Sequence, residues 1–148
     1  MSRAKPPLAS LAGPEEIEQQ FYEALQHGDI DKLMAVWSDD DDIACVHPGG
    51  PRVIGAVAIR ASFEAMFANG AVNAHPEKLR RIRSHASAVH SVLERVQVMT
   101  KEGPQSAWVI ATNVYMQTAQ GWRMVVHHAS PGTQREVQEI TETASVLH

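Results

Sequence analysis

Apolar residues recur with a helical period in the first part of the chain and with the period of a strand in the second. From Glu15 onward, Ile17, Phe21, Ala24 and Leu25 mark one helix face, and Glu15 and Glu16 sit at the positive helix end, which favours carboxylates. His27-Gly28-Asp29 reads as a stop and a new start, since glycine accepts the left-handed C-terminal conformation and Asp29 can cap the next free N–H groups. A second helix follows, with Ile30, Leu33, Met34 and Trp37 at offsets of zero, three, four and seven. The alternation in Ile43-Ala44-Cys45-Val46-His47 predicts a strand with Ile43, Cys45 and His47 on one side, and Pro48-Gly49-Gly50-Pro51 must then turn. Arg52-Val53-Ile54 is a short run before Gly55, after which Ile59, Phe63, Met66 and Phe67 predict a third helix ending at Asn69-Gly70.

The rest reads as strands: about Lys78 to Thr100 with a break near His85, Ser106 to Thr118, and Gly121 to Ser130. Residues 1–14 lack a sustained period and read as a mobile arm, residues 15–132 as the single domain, and residues 133–148 as a polar tail, either a docked helix or a loose end. Helices grouped toward one end and strands toward the other predict an α+β domain: a cone-shaped half-barrel, with a strongly bent antiparallel sheet wrapped around three helices. Three amphipathic helices do not fill the concave side of such a sheet, so a pocket between the layers is expected.

Composition narrows the partners. With 148 residues, one core is the default, and 44% hydrophobic with 20% charged residues fits an ordinary globular chain. A net charge of −4 gives no electrostatic footprint for nucleic acid or an anionic membrane, and no apolar run reaches the roughly 20 residues of a membrane span. Cys45 is the only cysteine, so an intrachain disulfide and a cysteine-based zinc site are both excluded, and a cytoplasmic setting is expected. The eight histidines lack metal-ligand spacing, and Asp39 to Asp42 lack the alternation of a calcium loop, so no metal site is expected. No phosphate loop or dinucleotide fingerprint is present, so no cofactor is expected.

The order of elements, the Gly28-Asp29-Ile30-Asp31 junction, the run Trp37 through Gly50 followed by Gly55 and Ile59-Arg60, and Gly121-Trp122-Arg123-Met124 with His127-His128-Ala129-Ser130-Pro131 together carry a resemblance. The chain resembles the nuclear-transport-factor-2-like superfamily, and within it the SnoaL-like, ketosteroid-isomerase-related small domains, over about Glu15 to Gly132. That resemblance implies the cone fold and a homodimer formed through the convex sheet face. It does not imply one activity, because such cones host isomerases, cyclases, dehydratases, hydrolases and non-catalytic assembly domains.

Polar side chains inside apolar strands need a partner or a purpose, and they supply the site candidates. His47, at a strand end, and His128, in the last strand, are the candidate proton donors or acceptors. Strict alternation puts His128 and Ser130 on the face of Trp122, Met124 and Val126, whereas a one-residue slip would turn His127 inward instead. A two-residue turn at Ala119-Gln120 would place Asn113 and Tyr115 on that same face. Tyr22 and Trp37 are candidates for an aromatic wall, each with core packing as the plainer role. Glu94 sits in an alternating run and reads as facing solvent or a dimer neighbour, which leaves no acid to assign to the pocket. Two functions fit: a cofactor-independent reaction on a small apolar organic molecule, or a ligand-binding or assembly module without chemistry.

Overall fold

The computed structural model describes residues 13–133 and 138–142. Helix α1 (Pro14–His27) starts at Gly13, whose N–H donates to the Glu16 carboxylate at 2.8 Å, and ends at Gly28, where φ is 65°. That left-handed backbone is why glycine stands at the junction. One residue later the Asp29 carboxylate accepts from the Lys32 N–H at 3.0 Å and caps α2 (Ile30–Ala35). The helix is two residues shorter than its apolar stripe suggests. Trp37 lies beyond it, in an isolated parallel bridge to Met124, and its side chain is wholly buried. Helix α3 (Ala56–Phe67) presents Ile59 and Phe63 to the core.

Six strands form one sheet: β1 (Ala44–Val46), β2 (Arg52–Ile54), β3 (Ala74–Arg83), β4 (Ser87–Thr100), β5 (Gly103–Thr118) and β6 (Gly121–Pro131), in the order β2-β1-β6-β5-β4-β3. The sheet is open, and the architecture is the expected α+β cone. One feature differs from an all-antiparallel sheet: β1 runs parallel to β6. The helices deliver β1 to the free edge of β6 in the same direction, and the intervening chain is long enough to serve as the crossover that parallel strands require. The break near His85 is the turn between β3 and β4, and Ala119-Gln120 is the two-residue connection between β5 and β6.

Two irregularities bend the sheet. On β3 the register shifts between Glu77 and Arg80, where Lys78 has φ 47°. On β6 Val126 pairs with Val114 and Met124 with Tyr115, so Val125 is an extra, unpaired residue. A bulge of this kind kinks its strand and reverses which parity faces inward. The core fills the concave side with Ile17, Phe21, Leu33, Trp37, Ile43, Ile59, Phe63 and Met124, all almost fully buried. Each such side chain contributes roughly 1.5–3 kcal/mol by leaving water. No helix among the described residues is long and apolar enough to cross a membrane. The proposed N-terminal arm lies outside the described residues, apart from Gly13 and Pro14. The tail lies outside them except at residues 133 and 138–142, which form neither helix nor strand.

Candidate functional site

The concave face and the helices enclose a cavity of about 180 Å³. Its wall is mostly apolar, with Leu25 from α1, Phe63 and Met66 from α3, Val96 from β4, and Val109 from β5. Three titratable side chains interrupt it: Glu94, His127 and His47.

Glu94 is brought inward by the parity of β4, where Ala88, His90, Val92 and Glu94 all share the buried side. This corrects the expectation of a solvent-facing or dimer-facing carboxylate: only 5% of Glu94 is exposed. Tyr22 reaches it from α1 and donates to Oε2 at 2.6 Å. Asn113 on β5 donates from Nδ2 to the Tyr22 oxygen at 3.0 Å, and its Oδ1 lies 2.6 Å from His127 Nδ1. Since an amide oxygen only accepts, the His127 proton sits on Nδ1. Every proton in this chain therefore points one way, from His127 through Asn113 and Tyr22 to Glu94.

Burial pushes the Glu94 carboxyl up to about 7, with the Tyr22 hydrogen bond opposing and the Glu18 charge adding to the rise. His127 is driven the other way, to about 3, because burial penalises its imidazolium and the neighbouring His47 and His128 add to the effect. It is therefore neutral at physiological pH. Burial, with the Glu94 charge next, holds Tyr22 well above its usual value, so it stays protonated. A carboxyl that changes charge near neutrality inside an apolar cavity is the kind of group that moves protons in enzymes.

His47, just past the end of β1, packs edge-on against Phe63 with centroids 4.8 Å apart. Its Nε2 lies 3.0 Å from Ser62 Oγ, and the Ser62 hydroxyl donates to the Ile59 carbonyl at 2.7 Å. The serine proton being used, His47 donates from Nε2 and keeps a lone pair on Nδ1. Burial lowers the His47 pKa. Cys45 is buried beneath it, its thiol pushed up to about 12 by burial and then by the Glu94 charge.

A second polar cluster lies under α1. Glu18 Oε2 is 2.8 Å from His90 Nδ1 and accepts from the Tyr115 hydroxyl at 3.4 Å, while Arg81 comes within 3.7 Å of Oε1. One helical turn separates Glu18 from Tyr22, so a single face of α1 anchors both clusters.

Of the residues singled out from sequence, His47, Tyr22 and Asn113 converge on this arrangement. Tyr115 is buried but belongs to the Glu18 cluster, and Trp37 is core. His128 and Ser130 are exposed on the convex side, so the face assigned to them is corrected: His127 and Ala129 point inward. The Val125 bulge is the reason, because Trp122 and Met124 precede it and the parity changes after it. Glu94 and His127 are the two pocket residues that strict alternation on β6, and caution on β4, left aside. Among the described residues no group of three His, Cys, Asp or Glu side chains is placed to hold a metal ion.

Comparison with known proteins places this architecture. A candidate calcium/calmodulin-dependent protein kinase type II association domain from Thiobacillus denitrificans is 36% identical, with a TM-score of 0.76, covering 86% of this chain and 99% of that one. A candidate dehydratase of the NTF2-like family from Streptomyces avermitilis is 26% identical, with a TM-score of 0.70 over 79% of this chain and 92% of the other. The CaMKII hub of S. rosetta shares the fold at 21% identity and a TM-score of 0.65, covering 82% and 98%. No protein of curated function matches. The model of the SnoaL-like domain matches residues 15–134, from the second residue of α1 to beyond the end of β6. The chain therefore belongs to the SnoaL-like domain family, within the NTF2-like superfamily.

Proposed function

We propose that the cone binds a small, largely apolar organic molecule and that Glu94 exchanges a proton with it, without a cofactor. The observation that carries this reading is a carboxyl almost wholly removed from water, on the wall of an apolar cavity, with its pKa raised to about 7. Tyr22, Asn113 and His127 fix its orientation, and His47 supplies a second proton-accepting group at the same cavity. Isomerisation, cyclisation, dehydration and hydrolysis all use such a group, and the resemblance to a candidate dehydratase fits that range. Native mass spectrometry of the protein purified from its own host tests the reading. A stoichiometric organic ligand, absent from the Glu94→Gln variant, supports it; an empty protein that also gains no thermal stability from a metabolite panel counts against it.

A second reading has its own observation. The convex face of β4, β5 and β6 carries Val89, Ile110, Val114, Met116 and Val126, with Val89 and Met116 exposed, and a 36% identical relative is described as an association domain. A homodimer through this face would cover it. Val114 sits between Val89 and Val126 in the register, so Val114→Glu should dissociate the assembly, measured by sedimentation. An assembly that is unchanged by the added charge would refute this interface. The two readings use opposite faces of one sheet and are compatible.

A further inference from the structure

The hydrogen-bond directions fix what the cavity offers a ligand. Glu94 Oε2 accepts from Tyr22, while Oε1 has no hydrogen-bond partner among the described residues. His127 uses its N–H on Asn113, which leaves Nε2 with a lone pair, and His47 uses its N–H on Ser62, which leaves a lone pair on Nδ1. The polar valences of all three wall residues are thus acceptors. Among the described residues no lysine or arginine lines the cavity, and the remaining wall is apolar.

With Glu94 ionised, a carboxylate or phosphate in this space would place like charge beside it at low dielectric and would meet no side-chain donor among the described wall residues. An ammonium supplies several N–H donors and the opposite charge, and its hydrocarbon body suits Leu25, Met66, Val96 and Val109. Phe63 adds an aromatic ring to this wall, a group that attracts cations. Resting on the reading that this cavity binds a small molecule through Glu94, we infer that its ligand is a small apolar amine, bound as the ammonium with an N–H donated to Glu94 Oε1. The cation also holds Glu94 ionised, and the ionised carboxylate in turn holds the ligand as its ammonium.

The test uses the full chain at pH 8 and three probes with one ring and different head groups: benzylamine, benzyl alcohol and benzoate. Calorimetric affinities on the unaltered protein should rank benzylamine first, about 10-fold or more tighter than benzoate, the range expected for one charge-assisted hydrogen bond. In Glu94→Gln, checked for its fold by circular dichroism, the advantage of benzylamine should fall to within about 3-fold, since the amide keeps a neutral acceptor but loses the charge. Benzoate binding as well as benzylamine, with either weakened by Glu94→Gln, overturns the amine inference and leaves the pocket reading standing. Benzylamine binding that Glu94→Gln does not alter places the amine elsewhere and overturns the inference as well. No binding by any of the three overturns both.

Discussion

Replacing Glu94 by glutamine should make the protein more stable at alkaline pH and leave it comparatively unaffected in acid. In the folded chain the carboxyl titrates near 7, against an ordinary value of 4.5. Between those values the folded state holds a proton that the unfolded state has lost, so stability falls as pH rises through this window and levels off above it. The span of roughly 2.5 corresponds to about 3 kcal/mol at about 1.4 kcal/mol for each tenfold change, and Glu94 is buried enough that solvent screening does not reduce it much. For a domain of this size that is roughly 6–12 °C in Tm. The wild-type curve alone would conceal the effect, because His127 acts in the opposite direction. Its folded pKa near 3 lies below the ordinary 6.5, so its contribution is full above 6.5 and is lost as pH falls toward 3. The quantity to measure is therefore the difference in unfolding free energy between Glu94→Gln and wild type, by urea titration at pH 4 and pH 8 at one protein concentration. Histidine and surface contributions cancel in that difference, which should move by about 3 kcal/mol in favour of the variant. A difference that stays constant within about 1 kcal/mol would show that the carboxyl is not held protonated by burial, and the argument for Glu94 as a neutral-pH acid/base would fall with it.

Three further outcomes follow from packing, capping and thiol burial. Phe63 is fully buried beside Phe21, His47 and Phe67, so Phe63→Leu should cost about 1–2 kcal/mol in urea unfolding while enlarging the cavity, read as tighter binding of bulkier probes. Asp29→Ala removes the cap on the Lys32 N–H and should cost about 1 kcal/mol by the same assay, with no change in ligand response. Cys45, with its thiol near 12 and no exposed surface, should react with a thiol reagent such as dithionitrobenzoate only in denaturant; rapid labelling of the native protein would contradict its placement.

Where the sequence carried the fold, it did so through signals that local physics enforces. The Gly28-Asp29 junction, the two-residue turn at Ala119-Gln120 and the inward set Ile43, Cys45 and His47 all appear as their residues require. Asn113 was legible for the same reason, since a two-residue turn fixes which β5 residues share a face with β6. His127 was not, because a bulge at Val125 has no signature in a run as uniformly apolar as Met124-Val125-Val126, and it exchanges the two histidines. Glu94 was not legible from its strand alone. Its own parity on β4 holds Ala88, Val92, Val96 and Val98 with His90, and the other holds Val89, Leu93 and Met99 with Ser91, Arg95 and Gln97, so composition does not separate the two faces. The charge on Glu94 argued against burial only as long as its partners, Tyr22 at 72 residues' separation and Asn113 beyond it, were out of sight.

The balance between the two functional readings turns on what Glu94 does to stability. A chain required only to fold and to associate through its convex face would gain from an apolar residue at position 94, because a well-packed hydrophobic side chain is commonly neutral or stabilising in place of a buried charged group. This chain instead positions a tyrosine, an asparagine and a histidine from three separate elements around the carboxylate, and none of them reaches the convex face. The network leaves one carboxylate oxygen toward the cavity without a partner among the described residues, where a structural network would satisfy it. Local destabilisation retained at a concave, apolar, enclosed point of a fold is the pattern of a site that acts on a ligand. The convex face then accounts for assembly by separate means, through residues of the opposite parity on the same strands. Measured together, the pH-dependent gain in Glu94→Gln and the dissociation of Val114→Glu should be independent, because the sheet that carries both keeps the two side chains on opposite faces.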